Sequence, residues 1–352
     1  MKNSTTIASA LLLTLLAGTT ALAGPEHKQT QDNKSHATAS ESQKTLEDFV
    51  GKIEAPELFI GSKAPDLKIA KYVKGDSVTG FDEGQVYVVE FWATWCGPCI
   101  AAFPHLSTLQ EEHGENVTFI GVNVSERDTD QTARIERIEK FVEDQGENMS
   151  YTVAVETNSD MGMTWLRPAE QNGIPAAFIV DGTGSIAWIG HPMTMDEVLN
   201  DVVNGDFDTK AASERAIDGL LVNAGLIKFS ELIDDGENLN DARQIANILI
   251  DDHLESDPSG LNQIAWMLLN TESSDTEMTD FKIALKAANA ACEATEWSNW
   301  MILDTYAQAA YKTGNQADAI KWQKKAIELI PEEYQKYAGE LQATLANYEL
   351  DS

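Results

Sequence analysis

The sequence predicts two folded units, an α/β sandwich over residues 56–204 and an all-α helical-repeat domain over residues 205–352. Three observations support this division. Strand-like and helix-like apolar patterns alternate through the first unit, which is typical of an α/β fold. The turn-forming Asn204-Gly205-Asp206 is followed almost only by helical periodicity. Within that helical part, Ala284-Leu285-Lys286 recurs as Ala319-Ile320-Lys321, which indicates an internal repeat.

The first 55 residues are predicted to lie outside both units. An apolar run over residues 7–17 and the small-residue site Ala21-Leu22-Ala23 are typical of a secretory signal peptide, residues 1–23. An uncleaved anchor is the alternative. Residues 24–55 are polar and predict a linker with one helical turn near residues 46–50. We therefore expect a periplasmic or otherwise extracytoplasmic protein with no membrane span after signal cleavage, because no other apolar run is long enough.

In the first unit, short apolar alternations between residues 57 and 86 predict a strand hairpin. A continuous apolar run from Val86 predicts a buried strand, and apolar residues at helical spacing from Ile100 to Leu109 predict a helix behind it. The further elements predicted in this unit are strands at 117–124, 151–155, 176–180 and 185–189, and helices at 128–148, 161–171 and 194–203.

The second unit is predicted to contain helices at 211–224, 227–233, 239–254, 261–269 and 280–294, followed by a repeat copy at 300–333. That copy resembles a tetratricopeptide repeat (TPR), because small, turn and terminating residues occupy its characteristic positions at Ala307, Gly314, Ala319, Ala326 and Pro331. We predict two TPR-like repeats, the first degenerate. Stacked repeats form concave surfaces, so a protein partner of this domain is expected.

The chemistry is predicted at Cys96-Gly97-Pro98-Cys99, which lies between the strand from Val86 and the helix behind it. Cys96 falls at the helix N-terminus, where unpaired N–H groups and the helix dipole favour a thiolate. Cys99 lies one turn further in and is expected to be more buried. Pro98 suits the first helical turn, because the N–H group it lacks would have no partner there.

Three stretches carry a family resemblance: Ile60-Gly61-x-x-Ala64-Pro65, Phe91-Trp92-Ala93-x-Trp95-Cys96-Gly97-Pro98-Cys99 and Gly173-Ile174-Pro175. Over residues 57–204 the chain resembles the TlpA-like, thioredoxin-fold thiol–disulfide oxidoreductases. The resemblance implies a thioredoxin-like sandwich with a redox-active Cys96–Cys99 disulfide. Cys96 would attack a substrate disulfide and Cys99 would resolve the mixed disulfide. Gly97 and Pro98 resemble the reducing members, which favours a reductase.

Further site residues are expected around this pair. Glu90 lies in an apolar strand six residues before Cys96, and we predict that burial raises its pKa and lets it accept the proton of Cys99. A solvent-facing Glu90 is the alternative. The resemblance implies a cis peptide bond at Pro175, with the backbone of Ile174 pairing with substrate. The predicted substrate-binding residues are Trp95, Gly97, Pro98, Ile174 and Pro175.

Net charge and the number of cysteines argue against several classes of partner and site. A net charge of −32 argues against nucleic acid or an anionic membrane as a partner. The chain has three cysteines, so a zinc site would lack its second ligand pair, and Cys292 is predicted to be buried and inert. His105 and His191 are predicted to be surface residues. No metal and no cofactor is expected.

The predicted function is therefore an extracytoplasmic protein thiol–disulfide oxidoreductase, with protein disulfides as substrates and an unidentified thiol as electron donor. The alternative is an adaptor or scaffold that binds partners through its TPR-like helices, with the thioredoxin-like unit as a docking or oxidase module.

Overall fold

A computed structural model describes residues 44–127, 130–236, 238–271 and 278–350. These residues form two compact units, one of residues 55–216 and one of residues 217–350 with residues 44–54. The predicted signal peptide and most of the predicted linker lie outside the described residues. The predicted domain limits at residues 23, 55 and 204 stay predictions.

The first unit is built on one six-stranded mixed sheet. Its strands are β1 (Ile69–Lys74), β2 (Val86–Trp92), β3 (Val117–Asn123), β4 (Thr152–Glu156), β5 (Ala176–Val180) and β6 (Ile186–Gly190). Their order across the sheet is β1-β4-β3-β2-β5-β6. β2, β3 and β4 run parallel, whereas the pairs β1–β4, β2–β5 and β5–β6 are antiparallel. This is the predicted thioredoxin-like α/β sandwich.

One predicted element is absent: between residues 57 and 86 there is a single strand, β1, in place of the predicted hairpin. β1 pairs with the distant strand β4. The other apolar residues of this stretch lie against one face of the sheet, where Leu58 is buried and Leu67, Val78 and Phe81 are partly buried. They cover the sheet instead of pairing with one another, so their alternation does not mark strands.

The sheet is covered on both faces, and alternate residues of the central strand β2 enter the two cores. Val88 and Trp92 pack with helix α2 (Gly97–His113), whose Phe103 and Leu106 are fully buried. The same core includes residues of helices α3 (Gln131–Gln145) and α4 (Asp196–Asn204). Tyr87, Val89 and Phe91 enter the opposite core with Trp165 and Phe178. The helices of this unit are α2, α3 (Gln131–Gln145), α4 (Asp196–Asn204) and a π-helical turn at Gly162–Leu166.

The second unit is helical in all its described regular elements. Short helix α1 (Glu47–Val50) packs here through the neighbouring Leu46. The larger helices are α5 (Thr209–Asp235), which belongs to this unit from residue 217 onward, α6 (Leu239–Ile248), α7 (Pro258–Asn270), α8 (Met278–Ala294), α9 (Trp300–Lys312), α10 (Gln316–Leu329) and α11 (Ala338–Leu350).

Helix α5 runs through residues 225–226, where the sequence predicted a break. An ideal Cβ on Gly225 would lie 2.9 Å from Leu46 Cδ1. Gly225 therefore packs closely against the Leu46 side chain inside a continuous helix and does not end it.

The alanines that recur in the predicted repeat are buried. Ala284 and Ala291 of α8, and Ala319 and Ala326 of α10, are all fully buried. Small residues at these positions let neighbouring helices approach closely. Cys292 is also fully buried, as predicted. None of the helices in the described part of the chain is long and apolar enough to cross a membrane.

Candidate active site

The cysteine pair lies where β2 passes into α2. Cys96 is the N-cap of α2, Cys99 lies in its first turn, and the two form a disulfide with a Cα–Cα distance of 5.3 Å. Cys99 N donates to Cys96 Sγ at 3.2 Å. In this oxidised form both residues are buried, Cys96 being 4% exposed and Cys99 0%. A substrate can approach the disulfide from the surface formed by its neighbours, because Gly97 and Pro98 are exposed and Trp95 is 52% exposed.

The Gly173-Ile174-Pro175 segment faces this pair. The Ile174–Pro175 peptide bond is cis. The carbonyl oxygen of Ile174 lies 3.6 Å from Cys96 Sγ, and both Ile174 and Pro175 are half-buried. A polypeptide bound beside Cys96 would therefore meet the backbone of Ile174 as well as the disulfide.

Glu90 points into the core, on the face of β2 that packs with α2. It is 1% exposed, and neither carboxylate oxygen has a hydrogen-bond partner among the described residues. Burial raises the pKa of Glu90 well above its usual range. The solvent-facing alternative is therefore wrong, because side chains of β2 are buried on both sides of the sheet.

Two more polar groups lie beside the Glu90 side chain, above Gly121, the residue of β3 that pairs with Glu90. An ideal Cβ on Gly121 would lie 2.8 Å from Tyr151 Cε2, 3.3 Å from Trp92 Nε1 and 3.5 Å from Glu90 Oε2. The Tyr151 hydroxyl and Trp92 Nε1 are buried and lack partners among the described residues. Burial, with Glu90 nearby, raises the pKa of Tyr151. Gly121 thus leaves room for a buried polar cluster that the sequence pattern did not indicate.

A second carboxylate lies at this site and was missed by the sequence analysis. Glu126 follows β3, and its side chain is only 2% exposed. It binds the Thr94 backbone and side chain just before Cys96, and Arg137 of α3. Thr94 lies 32 positions and Arg137 lies 11 positions from Glu126 in the sequence, so no short spacing motif predicts these contacts.

His105 and His191 were predicted to be surface residues, and both are half-buried. The Nε2 atom of His105 lies 3.2 Å from Asp196 Oδ2 in the first turn of α4, a pairing that the sequence analysis did not predict. The two residues are 91 positions apart, which hides the pairing from the sequence. His191 Nδ1 accepts a hydrogen bond from Met193 N at 3.3 Å. Among the described residues there is no group of three or more His, Cys, Asp or Glu side chains that could hold a metal ion.

A groove of about 490 Å³ lies next to the site. Its lining includes Ser125, whose carbonyl accepts the Trp95 indole N–H at 3.0 Å, and Asn172, two residues before Ile174. Met163 and Leu166 line it, together with the charged residues Glu156, Arg167 and Glu170. The groove therefore opens beside the residues that flank the disulfide.

Comparison with known proteins finds thiol–disulfide proteins among those that this chain resembles. The family model described as Redoxin matches residues 59–201. Protein FixW of Rhizobium leguminosarum is 31% identical over 157 residues, which cover 44% of this chain and 70% of that protein. The thiol:disulfide interchange protein HelX of Rhodobacter capsulatus is 28% identical over 151 residues, 42% of this chain and 77% of that protein. A thiol-disulfide isomerase from Corynebacterium glutamicum is similar in structure, with a TM-score of 0.34 and 20% identity over 42% of this chain and 97% of that chain.

Proposed function

Because this chain belongs to the redoxin family and is a thiol–disulfide oxidoreductase, we propose that it is an extracytoplasmic reductase of protein disulfides. The observation that carries the proposal is the Cys96–Cys99 disulfide at the start of α2, with the Ile174 carbonyl 3.6 Å from Cys96 Sγ. A reactive sulfur thus stands beside backbone that can hold an extended substrate.

The reaction follows from the placement of the two sulfurs. In the reduced protein the Cys96 thiolate attacks one sulfur of a substrate disulfide, and the other substrate sulfur leaves as a thiolate. Cys99 then attacks Cys96 Sγ, which releases the second substrate thiol and forms the Cys96–Cys99 disulfide. Two electrons pass from the dithiol to the substrate. A thiol donor returns two electrons to the disulfide for the next cycle.

Glu90 supports the second step. Cys99 is fully buried and needs a proton acceptor before it can attack. Glu90 is the buried carboxylate on the same face of the sheet as the core that contains Cys99, and burial raises its pKa well above the usual range, which makes it a stronger proton acceptor than an ordinary carboxylate. We assign Glu90 the role of proton acceptor for Cys99.

The exposed residues around the disulfide support a role in substrate binding. Trp95, Gly97 and Pro98 are exposed around the disulfide, and Ile174 and Pro175 offer backbone beside it. We assign these five residues to substrate binding. The reducing direction rests on the Gly97-Pro98 pair, and the extracytoplasmic location rests on the secretory pattern of residues 1–23.

Reduction of insulin disulfides by the purified protein, with dithiothreitol as electron donor, tests the function. We expect activity that is lost in Cys96→Ser. Cys99→Ser should instead trap substrates as mixed disulfides through Cys96, and Cys292→Ser serves as the matched control with full activity. An intact wild-type protein that neither reduces insulin nor traps a partner contradicts the proposal.

The helical domain is proposed to select a protein partner and to carry no chemistry. The acidic chain favours a basic or polar ligand, bound at a rate that falls with salt. A chain that ends after Gly205 should keep reduction of small disulfides and lose only partner capture. If this fragment cannot fold or loses small-disulfide activity, the domain is structural support and the recognition role is wrong.

A further inference from the structure

The turn that leads into Cys96 is a defined structural unit. Cys96 N donates to the carbonyl oxygen of Ala93 at 3.1 Å, so Thr94 and Trp95 are the two central residues of a tight turn. Cys96 leaves this turn directly as the N-cap of α2. The conformation of the turn therefore decides where the Cys96 sulfur lies relative to Cys99 and Ile174.

Both central residues are held by two consecutive residues after β3. Thr94 N donates to Glu126 Oε1 at 2.7 Å, and the Thr94 hydroxyl donates to Oε2 at 3.0 Å. The Trp95 indole N–H donates to the carbonyl of Ser125 at 3.0 Å. Ser125 and Glu126 thus fix both the backbone and the side chains of the turn.

The Glu126 carboxylate is itself held rigidly. Asn123 Nδ2 donates to Oε1 and Arg137 Nη2 to Oε2, each at 2.9 Å. Arg137 Nη1 also donates to the Thr94 hydroxyl at 2.9 Å, which closes a ring of hydrogen bonds. Burial alone would raise the pKa of Glu126, but the hydrogen bonds from Asn123, Thr94 and Arg137 lower it instead. The carboxylate is therefore charged at neutral pH and accepts strong hydrogen bonds.

Ser125 carries a further sign that this loop is constrained. Its φ is +57°, in the left-handed region that non-glycine residues seldom adopt. Its backbone N–H donates to Glu156 Oε1 at 3.4 Å, and its carbonyl receives Trp95. Residues in such a conformation persist only where surrounding contacts impose it, and they concentrate at functional sites.

We propose that Glu126 is a positioning residue for the redox pair: its carboxylate clamps the 93–96 turn through the Thr94 N–H and hydroxyl groups and so holds Cys96 Sγ against Cys99 and the Ile174 carbonyl. The proposal rests on the proposed function, in which Cys96 and Cys99 are the reacting pair. Arg137 and Asn123 hold the carboxylate, and Ser125 completes the clamp by fixing Trp95.

The alternative is a purely stabilising ion pair between Glu126 and Arg137. The two roles differ in chemistry, because a clamp needs an acceptor opposite the Thr94 N–H group, whereas an ion pair needs only opposite charges. Exchanging the two residues (Glu126→Arg with Arg137→Glu) keeps the charge pair but sets a donor against the Thr94 N–H group. Glu126→Gln keeps an acceptor oxygen and loses the charge.

The test is the thiol–disulfide equilibrium of Cys96 and Cys99 in glutathione buffers, with the insulin reduction rate as second readout. In Glu126→Ala we expect the equilibrium constant for forming the disulfide to fall about tenfold, since losing one or two hydrogen bonds corresponds to such a factor. The exchanged pair should behave like Glu126→Ala. Glu126→Gln should stay within about threefold of the wild type, as expected when one neutral hydrogen bond replaces a charged one.

Glu139→Ala is the matched control, because it removes another ion pair of α3, the one with Lys71 on strand β1. It should leave both readouts at wild-type values. If Glu126→Ala does not fold, Thr94→Val decides: it removes only the hydroxyl and should shift the equilibrium in the same direction by a smaller factor.

Two outcomes overturn the clamp. In the first, Glu126→Ala or Thr94→Val matches Glu139→Ala in both readouts. In the second, the exchanged pair restores wild-type values, which leaves only an ion pair. Failure of the proposed function is recognised separately, because it shows as a wild-type protein without insulin activity, whereas the glutathione equilibrium is measured without any substrate.

Discussion

Two nearly inaccessible carboxyl groups stand near the redox pair, and their pKa values are shifted in opposite directions. Glu90, on β2, is 1% exposed and has no hydrogen-bond partner among the described residues, so burial raises its pKa. Glu126, after β3, has a side chain that is 2% exposed, but Asn123, Thr94 and Arg137 bind it and lower its pKa. The hydrogen-bond donors within reach, and not the depth of burial, decide the direction in which the pKa of each carboxyl group shifts.

The sheet explains why the partners differ. Glu90 lies in the middle of β2, which pairs with β3 on one side and β5 on the other, so the surrounding backbone N–H groups are used in the sheet. Glu126 lies beyond the end of β3, where the Thr94 N–H group, past the end of β2, has no strand partner and can donate to it. The interior of β2 therefore leaves the Glu90 carboxyl group without donors among the described residues, whereas the end of β3 places the Glu126 carboxyl group among several.

The largest expected effect separates the two acids by their role in catalysis. Glu90→Gln should slow release of the mixed disulfide by about 100-fold, because positioned general acids and bases contribute about that much or more. Rapid mixing of the reduced protein with a substrate disulfide, followed by acid quenching, measures the accumulated mixed disulfide. Glu143→Gln, an exposed acid on α3, is the control. Release that is unchanged between about pH 6 and 9 would show that Glu90 transfers no proton.

The second effect concerns stability and pH. In the unfolded chain Glu90 titrates at about 4.3, and in the folded protein it titrates at a higher pH. Between these values the folded state binds more protons, so the unfolding free energy falls as pH rises, by up to about 1.4 kcal/mol per pH unit. In Glu90→Gln this contribution disappears.

Urea unfolding of the oxidised protein between pH 4 and 8, about the range in which a buried acid titrates, measures this difference. Burial also raises the pKa values of Glu156 and Asp304, but both titrate alike in wild type and variant. The difference between the two curves therefore isolates Glu90. Parallel curves over the whole range would mean that its pKa is not raised.

A smaller effect is expected from the partner of Glu126. Arg137→Met leaves a buried charge with fewer donors and should cost about 2 kcal/mol at pH 7, less than for a fully buried pair because the arginine side chain is 42% exposed. The folded-state pKa of Glu126 is lowered, so this stabilisation is present above about pH 4 and is lost as the pH falls. Lys71→Met is the control, since its partner Glu139 is 37% exposed. Equal losses in both variants at pH 7 would contradict the distinction.

Sequence patterns recovered those features that depend on neighbours along the chain. The strand, turn and helix around Cys96, the burial of Glu90 and the repeated alanines of α8 and α10 all follow from local spacing. The clamp on Thr94 was not recoverable, because Glu126 lies 32 residues away and is acceptor to a backbone group that any residue has. His105 and Asp196 were missed for the same reason. Gly225 was misread as a helix break, because its close contact with Leu46 is visible only in the folded unit.

The smallest expected effect concerns the Cys292 thiol, whose pKa is also raised by burial. Cys292 is fully buried in the helical unit, and burial first, then the nearby Glu293, raises its pKa to about 12. Its thiol is therefore protonated at neutral pH and unreactive, whereas the helix start favours the thiolate of Cys96.

Iodoacetamide should label Cys96 of the reduced native protein well before Cys99, and should label Cys292 only after unfolding. Cys292→Ala should leave the Cys96–Cys99 equilibrium unchanged and cost about 1 kcal/mol of stability, as small core truncations do. Labelling of Cys292 at the rate of Cys96, or a shifted equilibrium in Cys292→Ala, would mean that burial does not silence this thiol and that a third cysteine takes part in the chemistry.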